Sequence, residues 1–488
     1  MAAAEREETA ALAKFCAERC ADTLFLSTAA DVAPYVTDWR GKFHGEAVGV
    51  ALPGTVDDVA ALVAWCLERG LQMVPQGGNT GLCGGSVPIG NGREVVVALK
   101  RLARVRDVDL DNATMTVEAG CTLQSIQELA AEHSCLFPLS FAAEGSAQIG
   151  GVLSTNAGGT AVLHYGNARA LVLGIEAVLP DGRVYDGLSG LRKDNTGYDL
   201  RDLIVGAEGT LGIVTAATLR LLPREAATAT SIAAVADPTR ALVLLQLLRA
   251  CCGNRLTGFE VFGRDNVAMV LAHRDDLRDP FPAPQPWYVL VELADVDADA
   301  DVSGRLESVL GEALEAGCVL DATIAASDSQ AESFWSLREA VSESQMLAGF
   351  VLKHDISVPI GRIPEFLDRV GWAVEAVEAG TDIAPFGHFG DGNIHLNMRP
   401  PAGRDPAVAE ETIARAVYKT VALFGGSISA EHGIGQLKVD ELARYKDPAA
   451  YAALVSIKRA FDPSNLMNPG KMFPTYSRYS SNQETGDT

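Results

Sequence analysis

The chain has 488 residues, 48% hydrophobic and 21% charged, a globular composition that excludes a largely disordered polymer and suggests two or three domains of about 150 residues each. With 63 acidic against 40 basic residues the net charge is −23, which argues against nucleic acid and anionic membranes as bulk partners and leaves room for a local basic pocket that takes a small anion. No run reaches the roughly 18 uninterrupted apolar residues of a membrane span; ALVLLQLLRACC (241–252) is broken by Gln246 and Arg249 and reads as a buried amphipathic helix.

Residues 1–41 read as a helical lead-in that loosens around Pro34 and Trp39; the N-terminus lacks the apolar core of a signal peptide and is too acidic for a transit peptide. The nine cysteines are scattered and include no CxxC pair, so reduced thiols and a cytoplasmic location are expected, the mitochondrial matrix being the alternative in a eukaryote. A short apolar strand, 47–52, meets Pro53. Thr55, with Asp58 where a capping box usually has Glu or Gln, opens a helix whose apolar positions Val59, Leu62, Val63, Cys66 and Leu67 recur up to Gly70. The strand LQMVP then enters the first of three glycine clusters, PQGGNTGLCGGSVP (75–88).

Strands at 95–99 and 115–118 and a helix over 122–133 precede the second cluster, GSAQIGGVLSTNAGGT (145–160). A strand over 171–179 is followed by Asp181-Gly182, a hairpin dipeptide, and by the third cluster, GAEGTLGIVT (206–215). The Ala/Thr-rich stretch 226–234 reads as the domain boundary. Beyond it, helices alternate with strands such as 287–293 and 350–358, the pattern of an α+β second domain. The polar tail, 475–488, is expected to be disordered, and no repeat at solenoid periods is visible.

Each loop glycine adds chain entropy that folding must overcome, so three clusters in one domain need a reason. One is tight turns in a β-rich fold; the other is close backbone approach to a phosphate, whose charge successive N–H groups would cradle. GxxxxGK[ST] is absent, as is GxGxxG between a strand and a helix, so a P-loop NTPase and a Rossmann dinucleotide site are disfavoured.

Of the eight histidines, two fall in GHFGDGNIHLN and a third follows Glu431 in SAEHGIGQLK. On a strand NIHLNM, His395 and Asn397 share a face, and the Gly390-Asp391-Gly392 turn folds His388 back toward them. Two imidazoles with Glu431 make an N,N,O set with open positions, the donor pattern of catalytic zinc, although the residues alone do not separate zinc from manganese or cobalt. His432 reads either as a base near neutral pH or as a residue that orients Glu431. In FWSLREAVSESQ, Arg338 and Ser342 lie four apart on a helix, and Lys353 shares a strand face with Asp355. Arg338 and Lys353 could clamp a carboxylate, but from the residues alone exposed pairs with Glu339 and Asp355 are the simpler reading.

PQGGNTGLCGGSVP, GSAQIGGVLSTNAGGT and RKDNTGYDLRDLIVGAEGTLGIVT, in that order, resemble the FAD-binding domain of the vanillyl-alcohol oxidase and p-cresol methylhydroxylase (PCMH) superfamily, and within it FAD-dependent D-2-hydroxyacid dehydrogenases of the D-2-hydroxyglutarate type. The resemblance spans roughly residues 42–474 and implies an α+β fold: a PCMH-type FAD-binding domain of two α+β subdomains over 42–223, then an α+β substrate domain over 224–474 whose last segment returns to the FAD domain. It implies that Gln76, Gly77, Gly78, Asn79, Thr80, Gly81, Gly84, Gly85 and Ser86 wrap the FAD pyrophosphate. Gly145, Ser146, Gly150, Gly151, Thr155, Asn156, Gly158 and Gly159 would line the flavin, with Glu208, Gly209 and Ile213 along the cofactor. Relatives that bond FAD covalently often carry a histidine in the first loop; here stand Gln76, Asn79 and Cys83, which implies dissociable FAD.

The resemblance also makes His388, His395 and Glu431 ligands of a divalent metal, zinc first, and His432, beside the last of them, is the candidate base. It makes Arg338, Ser342, Lys353, Asn397 and His432 the substrate contacts, with serine at 342 where some relatives have threonine. The implied reaction is oxidation of a D-2-hydroxyacid, D-2-hydroxyglutarate first and D-lactate or D-malate as alternatives, by hydride transfer to flavin N5. Electrons would pass to an electron-transfer flavoprotein or a quinone, and oligomeric state stays open, a homodimer included. A flavin-free zinc hydrolase leaves the glycine clusters unexplained, and a non-catalytic electron relay leaves the metal set unexplained.

Overall fold

The computed structural model describes residues 2–475, so 476–488 of the tail expected to be disordered lie outside the described residues. The chain forms two compact units: Met1–Gly158, Asn167–Leu222 and His432–Thr488 make the first, Gly159–Gly166 and Pro223–Glu431 the second. The second glycine cluster is therefore divided: Gly158 ends a stretch of the first unit, and Gly159 and Thr160 open the short insert of the second.

The first unit is built on a four-stranded and a five-stranded sheet. In the four-stranded one the order is Leu24–Leu26, Gly49–Leu52, Glu94–Ala98, Gln72–Gln76, the last three parallel. Its inner strands are buried throughout, as parallel strands covered on both faces require. The helices Ala2–Arg19 and Val56–Arg69 pack Leu12, Cys16, Val59, Leu62 and Cys66 into its core, and the lead-in belongs to this unit through the pairing of Leu24–Leu26 with Gly49–Leu52. Thr55 caps the second helix by accepting from Asp58 N, as its sequence predicts. The reciprocal half of the box is absent, because the Asp58 carboxylate accepts instead from Asp22 N and Thr23 Oγ1.

The five-stranded antiparallel sheet runs Val105–Asp109, Thr114–Glu118, Ile213–Arg220, Val172–Val178, Val184–Gly187. Its last pair turns at Asp181-Gly182, with Gly182 at φ +84, the left-handed conformation that makes Asp-Gly a hairpin signal. The segment after His432 returns to the edge of the four-stranded sheet: Met73 N donates to Leu466 O and Asn468 N to Met73 O.

The second unit is built on a seven-stranded antiparallel sheet in the order Asp321–Ile324, Ala227–Val235, Trp287–Asp295, Leu256–Gly263, Asp382–Gly387, Asn393–Arg399, Leu352–Ser357. The stretch 226–234, read from sequence as the boundary, is the strand Ala227–Val235, paired along nine residues with Trp287–Asp295. Its small and β-branched side chains suit a pleated surface buried beneath helices. One face packs Ile232, Phe262, Tyr288, Leu290 and Phe386 against the helices Arg264–His273, Asp328–Glu339 and Val341–Leu347. The alternate residues Phe259 and Val261 are as fully buried, so helices cover both faces. No helix among the described residues is long and apolar enough to cross a membrane.

Candidate functional site

In the first unit the glycine clusters meet backbone to backbone. A Cβ on Gly78 would lie 2.0 Å from Ser146 O, a contact open only to glycine, and one on Gly77 would stand in ordinary contact, 3.4 Å from Gly151 N. Gln76, Asn79 and Ser86 hold the shape of the first loop. Gln76 Nε2 donates to Tyr35 O and Ser86 O, Ser86 Oγ donates to Asn79 Oδ1, and Asn79, at φ +56, donates to Thr37 O. Gly81 has open space where a Cβ would stand, and Gly84, at φ +70, is packed under Phe43.

The second cluster contains the helix Ile149–Thr155, with Gly150 packed on Ala119 and Thr155 Oγ1 donating to Gly151 O. Asn156 ends that helix at φ +51 and accepts from Arg169 N. Ile213 sits in the core beneath the four-stranded sheet. The Glu208 carboxylate accepts from Ile434 N and Gly435 N, both at 2.7 Å, so it braces the returning segment. Gln148 of the second cluster, which the sequence did not single out, faces Gly77 of the first and has a buried Oε1 with no hydrogen-bond partner among the described residues. Buried amides are normally satisfied. An orphaned acceptor beside backbone held open by glycine fits a bound cofactor there.

In the second unit, strand register places the polar residues. Phe386 opposes His395, which opposes Asp355; Ala384 opposes Asn397, which opposes Lys353. Opposed residues share a face, so the apolar face under Phe262 and Phe386 becomes, at its far strands, a row of His395, Asn397, Asp355 and Lys353. His388 follows Asp382–Gly387, and its carbonyl accepts from Asp391 N and Gly392 N, closing the predicted turn. Gly390 in that turn is packed against Leu163 of the 159–166 insert and Phe259.

The three expected ligands converge. His388 Nε2 lies 3.4 Å from His395 Nε2 and 3.9 Å from Glu431 Oε1. Metal bonds of 2.0–2.1 Å in a tetrahedron put ligand atoms about 3.3 Å apart, so the His/His/Glu donors fit a zinc-sized cation with small adjustment. Burial alone would lower the His388 pKa, but the charge and hydrogen bond of Glu260 push it up to about 9. Burial pushes Glu431 up to about 7 against the pull of His388, with Asp355 and Asp391 adding to the rise. A cation here would displace protons and neutralise this crowd of carboxylates.

Arg338 is not in a surface pair with Glu339. It is buried, with Nε 2.7 Å and Nη2 2.6 Å from Glu260 Oε2 and its guanidinium over the Phe386 ring. The expectation that Arg338 and Ser342 share one helix face is corrected: the helix Asp328–Glu339 ends at Ala340, a new helix runs Val341–Leu347, and Ser342 is exposed while Ser344 and Gln345 turn inward. Arg338 is anchored downward on the sheet by Glu260, and the helix breaks just after it. Asn397 Nδ2 donates to Gln345 Oε1, whose own amide donates to Asn266 Oδ1 and Ala384 O.

Asp355 accepts from Glu431 N and Asn393 Nδ2 and lies 3.8 Å from His395 Nδ1. Glu260, Asp355 and Gln345 are the residues that motif reading missed. The signal available for the two acids was a carboxylate inside an apolar strand run, GFEVF and HDISV. His432, adjacent to Glu431 in the chain, opens the returning segment of the first unit.

Glycine-built loops, an orphaned buried amide and the sheet topology together fit a cofactor-binding α+β protein of the flavoprotein class. Residues 47–187 match the family described as FAD binding domain and 224–472 that of FAD linked oxidases, C-terminal domain, and the chain belongs to the FAD-linked oxidases as an FAD-dependent oxidoreductase. It is 37% identical over 438 residues to the mitochondrial D-2-hydroxyglutarate dehydrogenase of Arabidopsis thaliana, covering 90% of this chain and 77% of that one. It is 37% identical over 452 residues to the D-2-hydroxyglutarate dehydrogenase of Xanthomonas citri pv. viticola, covering 92% and 93%. The fold is shared with p-cresol methylhydroxylase (TM-score 0.74, 17% identity) and with 4-ethylphenol oxidase from Gulosibacter chungangensis (TM-score 0.70, 19%), each over 97% of this chain and 98% of the other. A flavin-free hydrolase and a non-enzymatic relay are thereby set aside.

Proposed function

We propose that this enzyme oxidises a D-2-hydroxyacid to the 2-oxoacid, D-2-hydroxyglutarate to 2-oxoglutarate before D-lactate or D-malate. The observation that carries the reading is the gathering on one sheet face of a His/His/Glu donor set with two cations, Arg338 and Lys353, in a chain of net charge −23. The names of the 37%-identical relatives support the same substrate class. FAD, dissociable because the first loop lacks a histidine, supplies the hydride acceptor when bound, and a divalent cation, zinc by its donors, supplies charge stabilisation at the substrate hydroxyl.

The chain's own residues do the rest. Arg338 and Lys353 hold the two carboxylates, and Asn397 keeps its direction through Gln345. His432 takes the hydroxyl proton on a ring nitrogen. Gly78 and Gly150 let the loops that would hold FAD pack directly on Ser146 and Ala119. Electrons leave to a separate acceptor, an electron-transfer flavoprotein or a quinone.

The test is the visible spectrum of the purified protein under anaerobic conditions. The flavin band should bleach on adding D-2-hydroxyglutarate, and faster than with D-lactate or D-malate at equal concentration. A band that stays oxidised in metal-loaded protein would overturn the substrate class; faster bleaching by D-lactate would overturn the dicarboxylate preference.

A further inference from the structure

One carboxylate belongs to neither the metal donors nor the anion clamp, yet it grips a member of each. Glu260 stands on the strand Leu256–Gly263 with its side chain 1% exposed. Its Oε2 accepts from Arg338 Nε and Nη2, and its Oε1 accepts from His388 Nδ1 at 2.5 Å. The two partners come from different elements, the end of the helix Asp328–Glu339 and the turn after Asp382–Gly387.

We propose that Glu260 is a positioning residue for both halves of the site. By accepting at Nδ1 it keeps the His388 proton there and turns Nε2 toward His395 and Glu431; by holding the Nε–Nη2 edge of Arg338 it leaves Nη1 outside the ion pair for a substrate carboxylate. A carboxylate behind a ligating imidazole fixes its tautomer and raises its donor strength. A glutamine cannot replace it, because an amide has one accepting end and one donating end and both partners are donors. The inference rests on reading His388 as a metal ligand and Arg338 as a carboxylate clamp, and it adds that one side chain ties them together.

The experiment titrates chelator-treated full-length protein with Co²⁺ and Zn²⁺ and records the visible Co²⁺ spectrum, with flavin absorbance and circular dichroism as checks of folding. Glu260→Gln should weaken Co²⁺ binding about 10–100-fold, shift the Co²⁺ bands, and raise KM for D-2-hydroxyglutarate even at saturating metal. Wild-type affinity, spectrum and KM in that variant would overturn the proposal. If Glu260→Gln alone fails to fold, because it strands the buried Arg338 charge, Arg338→Met is compared with Arg338→Met/Glu260→Met, which leaves His388 Nδ1 no side-chain acceptor at position 260. The double variant should bind Co²⁺ at least about 10-fold more weakly, and equal affinity overturns the proposal. His388→Ala separates the two levels: if it loses Co²⁺ while Glu260→Gln does not, only the role of Glu260 fails; if it binds Co²⁺ like the wild type, the metal reading fails with it.

Discussion

Glu431 and His432 are bonded neighbours in the sequence, and the backbone just after them is fixed by unusual means. Gly433 and Gly435 have φ +75 and +51, and a Cβ on Gly433 would stand 2.7 Å from Glu208 Oε1. Glu208 accepts from the next two amides, so the loop carrying His432 cannot drift when its side chain is cut back. His432→Ala should therefore retain FAD and fold normally while kcat falls about 10²–10⁴-fold, the usual contribution of a general base. Anaerobic flavin bleaching should slow by a similar factor. A kcat near the wild-type value would assign His432 to orienting Glu431. The donor residues were legible because histidines in glycine-rich segments stand out against apolar surroundings. Glu260 carried one local mark, a carboxylate inside the apolar run GFEVF, but nothing local names its partner Arg338, 78 residues further on.

At the scale of elements, the same limit shows in the strand Ala227–Val235. Alanine and threonine read as a domain boundary because single-residue propensity is weak, and nine ladder partners in Trp287–Asp295 make the stretch a strand. Local signals with a local cause carried through: Thr55 and Thr122 cap the helices they were expected to start, and the Asp-Gly hairpin forms. The strap near the C-terminus had no such signal. Its Asn468 side chain donates to Gly85 O and Glu208 O, tying together loops from the first and third glycine clusters. Next to it, Lys471 is fully buried 3.5 Å from the equally buried Glu94.

Burial lowers the Lys471 pKa to about 8 even though Glu94 opposes the fall. Lys471→Met should cost about 3–5 kcal/mol in urea unfolding, because it leaves a buried carboxylate uncompensated. Adding Glu94→Gln should restore most of that loss. The sign with pH follows from linkage. The folded state releases the Lys471 proton near pH 8 and the unfolded state near 10.5, so the unfolded state holds more protons between them and stability rises with pH across that window. Relative to the double variant, the wild type should gain stability from pH 8 to 10.5 and lose it as pH falls back through 8; a flat difference would show that Lys471 titrates normally.

At the scale of the whole molecule, the order of segments along the chain is not the order of units. The first unit is closed by residues after 431, and the second borrows Gly159–Gly166 from within the glycine-rich half. Cluster order revealed the family, but a discontinuity of this kind depends on contacts between distant segments and leaves no mark in composition. Net charge, by contrast, is a whole-chain property that the sequence states outright, and it bears on substrate capture. A chain of −23 repels an approaching dianion over the long Debye length of low salt, about 30 Å at 0.01 M, and much less at about 8 Å in 0.15 M. In the proposed site Arg338 and Lys353 would act at contact distance, where salt screens little, and the buried acids Glu260 and Asp355 sit beside them. The long-range term thus opposes encounter while the short-range term holds what arrives. For D-2-hydroxyglutarate, kcat/KM should rise as ionic strength increases from 0.01 to 0.15 M, with kcat nearly constant. The rise should be roughly twice as steep, on a logarithmic scale, as for singly charged D-lactate, because the repulsion scales with the product of charges. A fall in kcat/KM with salt would mean that the two cations dominate the field the substrate meets and that steering is attractive despite the acidic chain.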